Sequence, residues 1–251
     1  MRNDYMKIKK EENYFEGLEK HLSQLAAKKK KSVLEIVEDF PNYVPRQTLA
    51  RFLVRHELSK MILNVKGSIV ECGVFRGAGL MSWAQLSSIY EPVNYHREIV
   101  GFDTFSGFPA VEEVDKENKK NVNAKNGGIA ADSYNELNRA IELYNNNRFL
   151  SHIEKVKLVK GDFLKTGPAF LRKNKHFLIS LLYLDFDIYK PTKEALKIFL
   201  PRMPKGAIIA FDEIHNQDWP GETMALLSEL DLNKYKLRQF NFEPNMSYII
   251  L

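Results

Sequence analysis

From residue 14 to 39 apolar and charged side chains alternate at helical spacing, and Ser32 is placed to cap the stretch from Val33 to Phe40. Pro41 and Pro45 interrupt the pattern, and a second periodic segment runs from Thr48 to about Leu63. Residues 1–66 are therefore expected to form a helical cap. After Lys66-Gly67 the texture changes to short apolar runs separated by helical patterns: Ser68 to Cys72, Ile99 to Phe102, Val156 to Val159, Leu178 to Leu184 and Ala207 to Phe211. Strands that are apolar on both faces and alternate with helices predict a doubly wound, mostly parallel α/β sheet over residues 67–251. Tyr235 to Phe240 and Met246 to Leu251 read as a closing hairpin joined by Asn241 to Asn245, which makes the final strand antiparallel. The polar stretch between Ser106 and Asn135 has no period of its own, and its length predicts a lid or a disordered excursion.

Composition refines this picture without redirecting it. The 251 residues are 44% hydrophobic and 12% aromatic, enough for one large domain with an appendage. The net charge of +5 and pI near 9.0 look basic, but the excess sits in Lys7, Lys9, Lys10 and the run Lys28 to Lys31. Those lysines lack interleaved Arg and aromatic residues, so they read as solvated surface rather than a nucleic-acid or membrane patch. The single cysteine, Cys72, allows neither an intramolecular disulfide nor a Cys-built zinc site, which fits a reducing cytoplasm. No apolar signal-peptide core follows the first lysines, and the run Phe177 to Leu184 is far short of the ~20 residues a membrane span needs.

Candidate chemistry collects at the strand ends. Glu71-Cys72-Gly73-Val74-Phe75-Arg76-Gly77 closes the first sheet strand and opens a helix. Its glycine spacing differs from the dinucleotide fingerprint, and the strand-end acid suits a ligand with an ammonium group better than one with phosphates. Asp103-Thr104-Phe105-Ser106-Gly107 ends the next strand, where an acid accepts ribose hydroxyls or, alternatively, makes an ordinary Asx turn. Asp162, after the strand ending at Val159, either brackets an adenine or caps a helix. Asp185 and Asp187 end one central strand, and Asp212 and Glu213 end the next. If those strands are adjacent and parallel, up to four carboxylates converge, and they repel unless one is protonated or a cation sits among them. Oxygen donors without cysteine favour a hard ion such as Mg²⁺. His215 stands in reserve as a base.

With these residues in place the chain resembles the macrocin O-methyltransferase family, the TylF and MycF group that also includes the novobiocin-pathway sugar methyltransferase. The matching pieces are Ile69 to Gly77, Asp103 to Pro109, Leu184 to Tyr189, and Phe211 to Glu213 with the later Trp219-Pro220-Gly221. The resemblance implies a Rossmann-like class I methyltransferase sheet and the cofactor S-adenosylmethionine, contacted by Glu71 to Gly77, by Asp103 to Gly107, by Asp185 and by Asp162 near the adenine. It implies that Asp185, Asp212 and Glu213 hold Mg²⁺, that Asp187 is the general base, and that an N-terminal segment near Tyr43 to Arg46 closes the cofactor site. The family usually has two aspartates where this chain has Asp212-Glu213. The expected acceptor is a small molecule, a sugar or glycoside on the family's pattern, activated through two neighbouring hydroxyls. A catechol-type O-methyltransferase shares sheet, cofactor and metal, and an NAD-binding or non-catalytic nucleotide module is the different-class alternative. Nucleic-acid methylation lacks an Asn-Pro-Pro-aromatic motif and a basic stripe. The helical N-terminal segment is suited to a homodimer interface.

Overall fold

The apolar runs pair into one seven-stranded sheet. In chain order the strands are β1 (Ser68–Cys72), β2 (Ile99–Asp103), β3 (Val156–Lys160), β4 (Ile179–Leu184), β5 (Ile208–Phe211), β6 (Arg238–Phe240) and β7 (Glu243–Ile250). They lie in the order β3-β2-β1-β4-β5-β7-β6, with β7 antiparallel to β5 and to β6. The structure is a computed structural model and describes residues 9–27, 31–118 and 121–251. Of the lysines singled out above, Lys7 and Lys28 to Lys30 lie outside the described residues, as do the side chains of Lys9 and Lys10.

The expected strands form close to their predicted bounds, and β1 at the same residues. The hairpin differs: only Arg238–Phe240 pairs, because the register shifts between Gln239 and Phe240 on this edge strand, while β7 starts earlier, at Glu243.

Helices α1 (Lys9–Ala27), α2 (Val33–Glu38) and α3 (Arg46–Met61) precede the sheet. Ser32 caps α2 in a reciprocal box: its hydroxyl accepts from the Glu35 N–H at 3.1 Å, and the Glu35 carboxylate accepts from the Ser32 N–H at 2.6 Å. The chain divides into two units, residues up to Ala50 and residues from Arg51 on. The division falls inside α3 rather than after Lys66, because Val54, Leu58 and Ile62 pack with Ile69, Trp83 and Leu181 in the core of the larger unit.

Within that unit the sheet is covered on both faces, and strand alternation sorts the core. Ile69, Ile99, Leu181, Tyr183 and Ile208 face the C-terminal part of α3, α4 (Ala78–Tyr90) and α5 (Tyr134–Asn145). Val70, Val100, Leu182, Leu184, Ile209 and Phe211 face α6 (Phe163–Lys173), α7 (Tyr189–Phe199) and α8 (Pro220–Glu229). Every residue of β1, β4 and β5 is buried. Among the described residues no helix is long and apolar enough to cross a membrane.

Among its described residues, the polar stretch after β2 is neither unstructured nor detached. The Phe108 N–H donates to the Gly128 carbonyl and the Gly127 N–H to the Phe108 carbonyl, tying its two ends together. Between them a 3₁₀ turn, Glu113–Lys116, buries Asp115. Phe108, Val111, Ala124 and Ile129 cluster with Ile188 and Trp219, so the excursion is a wall packed beside the ends of β4 and β5.

Candidate active site

The strand ends lie in register. Cys72 pairs with Leu184 and Leu184 with Phe211, and backbone bonds continue one residue further: the Asp185 N–H donates to the Cys72 carbonyl at 2.8 Å and the Asp212 N–H to the Leu184 carbonyl at 3.0 Å. The condition for converging acids, adjacent parallel strands, is therefore met.

Past β1 the backbone turns at Gly73, φ 93°, where any side chain would strike the Asp185 carbonyl at 1.8 Å. Phe75 adopts φ 53°, and Gly77, at φ 82°, caps α4. This turn is held from β2. Asp103 Oδ2 accepts from the Val74 and Phe75 N–H groups, both at 2.8 Å, and its Oδ1 accepts from the Phe105 N–H at 2.6 Å. Of about four acceptor positions on a carboxylate, three are filled, so Asp103 first shapes the loop and has one position left for a ligand. The Thr104 hydroxyl donates to the Gly107 carbonyl at 2.7 Å and accepts from the Ser106 N–H at 3.1 Å, which closes the next turn. Arg76 lies 5.1 Å from the Phe75 ring.

Glu71 is buried on the α3 and α4 side, and its Oε2 finds no partner. Burial pushes its carboxyl up to about 7, opposed by the Arg55 guanidinium, whose Nε is also without a partner. Cys72 faces the other way, buried in the core, and burial holds its thiol well above the ordinary range. Asp162 caps α6, its Oδ1 accepting from the Leu164 N–H at 3.0 Å. Tyr43 belongs to the smaller unit, where the Lys31 ammonium lies 5.7 Å from its ring.

Five acids gather around the ends of β4 and β5. Desolvation, and then the Asp212 charge, raises the Asp185 carboxyl well above its ordinary value. Asp187 is 3% exposed at φ 62°, and its Oδ1 has no partner; burial followed by Asp185 and Glu222 raises it too. Glu213 is buried, accepts from the Asn216 amide, and is raised to about 7 by burial and by Asp212. Asp212 goes the other way. Burial would raise it, but the Arg51 charge and the Tyr183 hydroxyl hold it below the usual range. Its Oδ2 pairs with Arg51 and its Oδ1 accepts from Tyr183 at 2.7 Å. His215 is exposed at φ 65°, and its backbone N–H donates to Thr223 Oγ1 at 2.9 Å.

Three participants were not marked by the sequence pattern. Arg51 lies in the periodic segment Thr48 to Leu63 and Tyr183 in the apolar run Leu178 to Leu184, and neither pattern sets the residue apart. Glu222 read as an acid in the first turn of α8, yet it is fully buried between the Asp187 and Glu213 backbones. Only the burial of its helix start, behind Trp219-Pro220-Gly221, signals more than capping.

The donors fit a hard divalent ion in chemistry: all are carboxylate oxygens, several raise one another, and Asp187 Oδ1 is orphaned. Among the described residues no three His, Cys, Asp or Glu side chains already stand around one point, and Asp212 is engaged by Arg51.

The profile of the Macrocin-O-methyltransferase (TylF) family matches residues 18–225. A crystal structure of CalS11, described as a calicheamicin methyltransferase, superposes with a TM-score of 0.87 at 34% identity, covering 93% of this chain and 91% of that one. The apo structure of CalS11, described as a TDP-rhamnose 3'-O-methyltransferase, gives 0.79 at 33% identity over 93% of both chains. The O-methyltransferase NovP shares the fold, with a TM-score of 0.62 at 21% identity over 80% of this chain and 79% of that one. No curated protein matches the sequence.

Proposed function

Since the chain belongs to the TylF macrocin-O-methyltransferase family and is a methyltransferase, we propose that it moves the methyl group of S-adenosylmethionine to a hydroxyl of a nucleotide-linked or glycosidic sugar, with Mg²⁺ among the acids that end β4 and β5. The observation that carries this reading is the gathering of Asp185, Asp187, Asp212 and Glu213 at in-register parallel strand ends, with an orphaned oxygen on Asp187. The sugar comes from the resemblance to CalS11, whose own acceptor is described as TDP-rhamnose.

The cofactor's parts find matching groups. The unpartnered Glu71 oxygen suits the ammonium of the methionine moiety. The remaining acceptor position of Asp103 suits a ribose hydroxyl, and the Gly73 turn lets backbone approach closely beside it, with Asp162 near the adenine. The loops of β1 and β2, joined through Asp103, fix the direction in which the methyl group faces the acceptor.

Asp185, Asp212 and Glu213 would hold the ion, with Asp212 released from Arg51. Bound there, Mg²⁺ lends Lewis acidity to an acceptor hydroxyl and offsets repulsion among the carboxylates. Asp187 takes the hydroxyl proton; its buried, underpartnered carboxyl and fixed backbone suit a base better than the exposed His215. The transfer is a direct displacement at the methyl carbon, without a covalent enzyme intermediate, and Cys72 only packs. Methyl transfer to TDP-rhamnose and to a catechol, measured with and without EDTA and for Asp185→Ala, tests the proposal. Transfer to the sugar, abolished by either treatment, is expected; full activity under both refutes the metal role, and transfer to the catechol alone refutes the sugar.

A further inference from the structure

Glu222 is 0% exposed, and its position in the first turn of α8 does not explain what it does. One carboxylate oxygen accepts from the Asp187 N–H at 3.2 Å and the other from the Glu213 N–H at 3.1 Å. Those two N–H groups belong to different loops, one after β4 and one after β5, so a single side chain clamps both. The residues it grips are the proposed base and a proposed metal ligand.

The grip is reinforced by its neighbours. A side chain at Gly221 would stand 2.5 Å from the Tyr189 nitrogen and 2.8 Å from the Asp187 carbonyl, so the start of α8 is pressed onto this backbone. Nearest of all to that position, at 2.4 Å, is Asp115 Oδ1, which itself accepts from the Tyr189 N–H at 2.8 Å. Next to these contacts Asp187 is held at φ 62°, a left-handed conformation that a non-glycine residue adopts only under strain. Burying an acid among other acids is unfavourable, and burial followed by Asp185 and Asp212 raises Glu222 well above its ordinary value.

We propose that Glu222 is a positioning residue: its two oxygens lock the Asp187 and Glu213 backbones in the geometry that the ion and the base require. This rests on the metal reading above. A carboxylate suits the task because it offers acceptors on both oxygens, whereas an amide has one acceptor and turns its NH₂ toward the second N–H. Glu222→Gln therefore breaks one of the two bonds while keeping shape.

The test compares the full chain with Glu222→Gln in three measurements: Mn²⁺ affinity by electron paramagnetic resonance of the free ion, S-adenosylhomocysteine affinity by calorimetry, and the melting temperature. Mn²⁺ binding about tenfold weaker is expected, with S-adenosylhomocysteine affinity unchanged within twofold and the melting temperature level or higher, since a buried acid is removed. A purely structural role lowers the melting temperature and both affinities together, and that result, or unchanged Mn²⁺ binding, overturns the proposal. If the amide variant does not fold, Glu222→Asp, which withdraws both oxygens by one methylene, carries the same expectations for the two affinities. Failure of the unmodified chain to bind Mn²⁺ overturns the metal reading and this inference with it.

Discussion

At the N-terminal end of the parallel strands Arg97 is 3% exposed and gives its N–H groups to Glu91, Ser180 Oγ and the carbonyls of Gly67, Ile62 and Val65. At the C-terminal end Arg51 holds Asp212, while Asp185, Asp187, Glu213 and Glu222 crowd around with raised carboxyls and an orphaned oxygen. The backbone repeats the contrast. Phe75, Phe105, Asp187 and His215, all at positive φ, follow β1, β2, β4 and β5 at that same end. One end spends its polar groups on one another and stabilises the sheet. The other leaves them strained and short of partners, the condition in which a ligand with complementary charge gains most.

The contrast is open to attack from both ends. Arg97→Ala should have the largest effect, a loss of about 3–5 kcal/mol in urea unfolding, because it leaves Glu91 and several buried carbonyls without their partner. A loss below about 1 kcal/mol would remove the distinction. Asp187→Asn should reduce kcat by about a hundredfold or more in a methyl-transfer assay while leaving the melting temperature level; an unimpaired rate would transfer the base role to His215. The smallest effect belongs to Arg51→Gln, for which Mn²⁺ binding should tighten roughly fivefold, because the guanidinium no longer occupies the buried Asp212 carboxylate. Weaker binding would mean that Arg51 supports the ion instead of competing with it.

The sheet was legible because strands buried on both faces read as mostly apolar runs, unbroken in β5 and interrupted only by Glu71 in β1 and Ser180 in β4. The short edge strand β6 was not, since an irregular pairing decides where it starts. The acids were legible one by one because each ends a strand, and their convergence followed once the strands proved adjacent. What each acid touches was not legible. Asp103 turns back to hold the preceding loop, a geometry no spacing reveals, and the capping bond that Asp162 accepts from Leu164 shows only in the folded turn. Arg51 and Asp212 are far apart in sequence, and nothing local to either residue announces the other. Glu222 was hidden for a related reason: a first-turn acid is ordinary on any helix, and only burial separates a clamp from a cap.

The alternation along the last four residues of β4, Leu181 to Leu184, bears on how this protein can change over generations. Leu181 and Tyr183 face one core, Leu182 and Leu184 the other, and the phase that sorts them also delivers Asp185 to its place at the strand end. Adding or deleting one residue would turn every following side chain to the opposite face and carry the acid with it. Substitutions in β4 can accumulate one at a time, whereas the spacing from Leu181 to Asp185 is inherited unchanged or lost together with the site; the pairing with β1 shifts register only before Leu181.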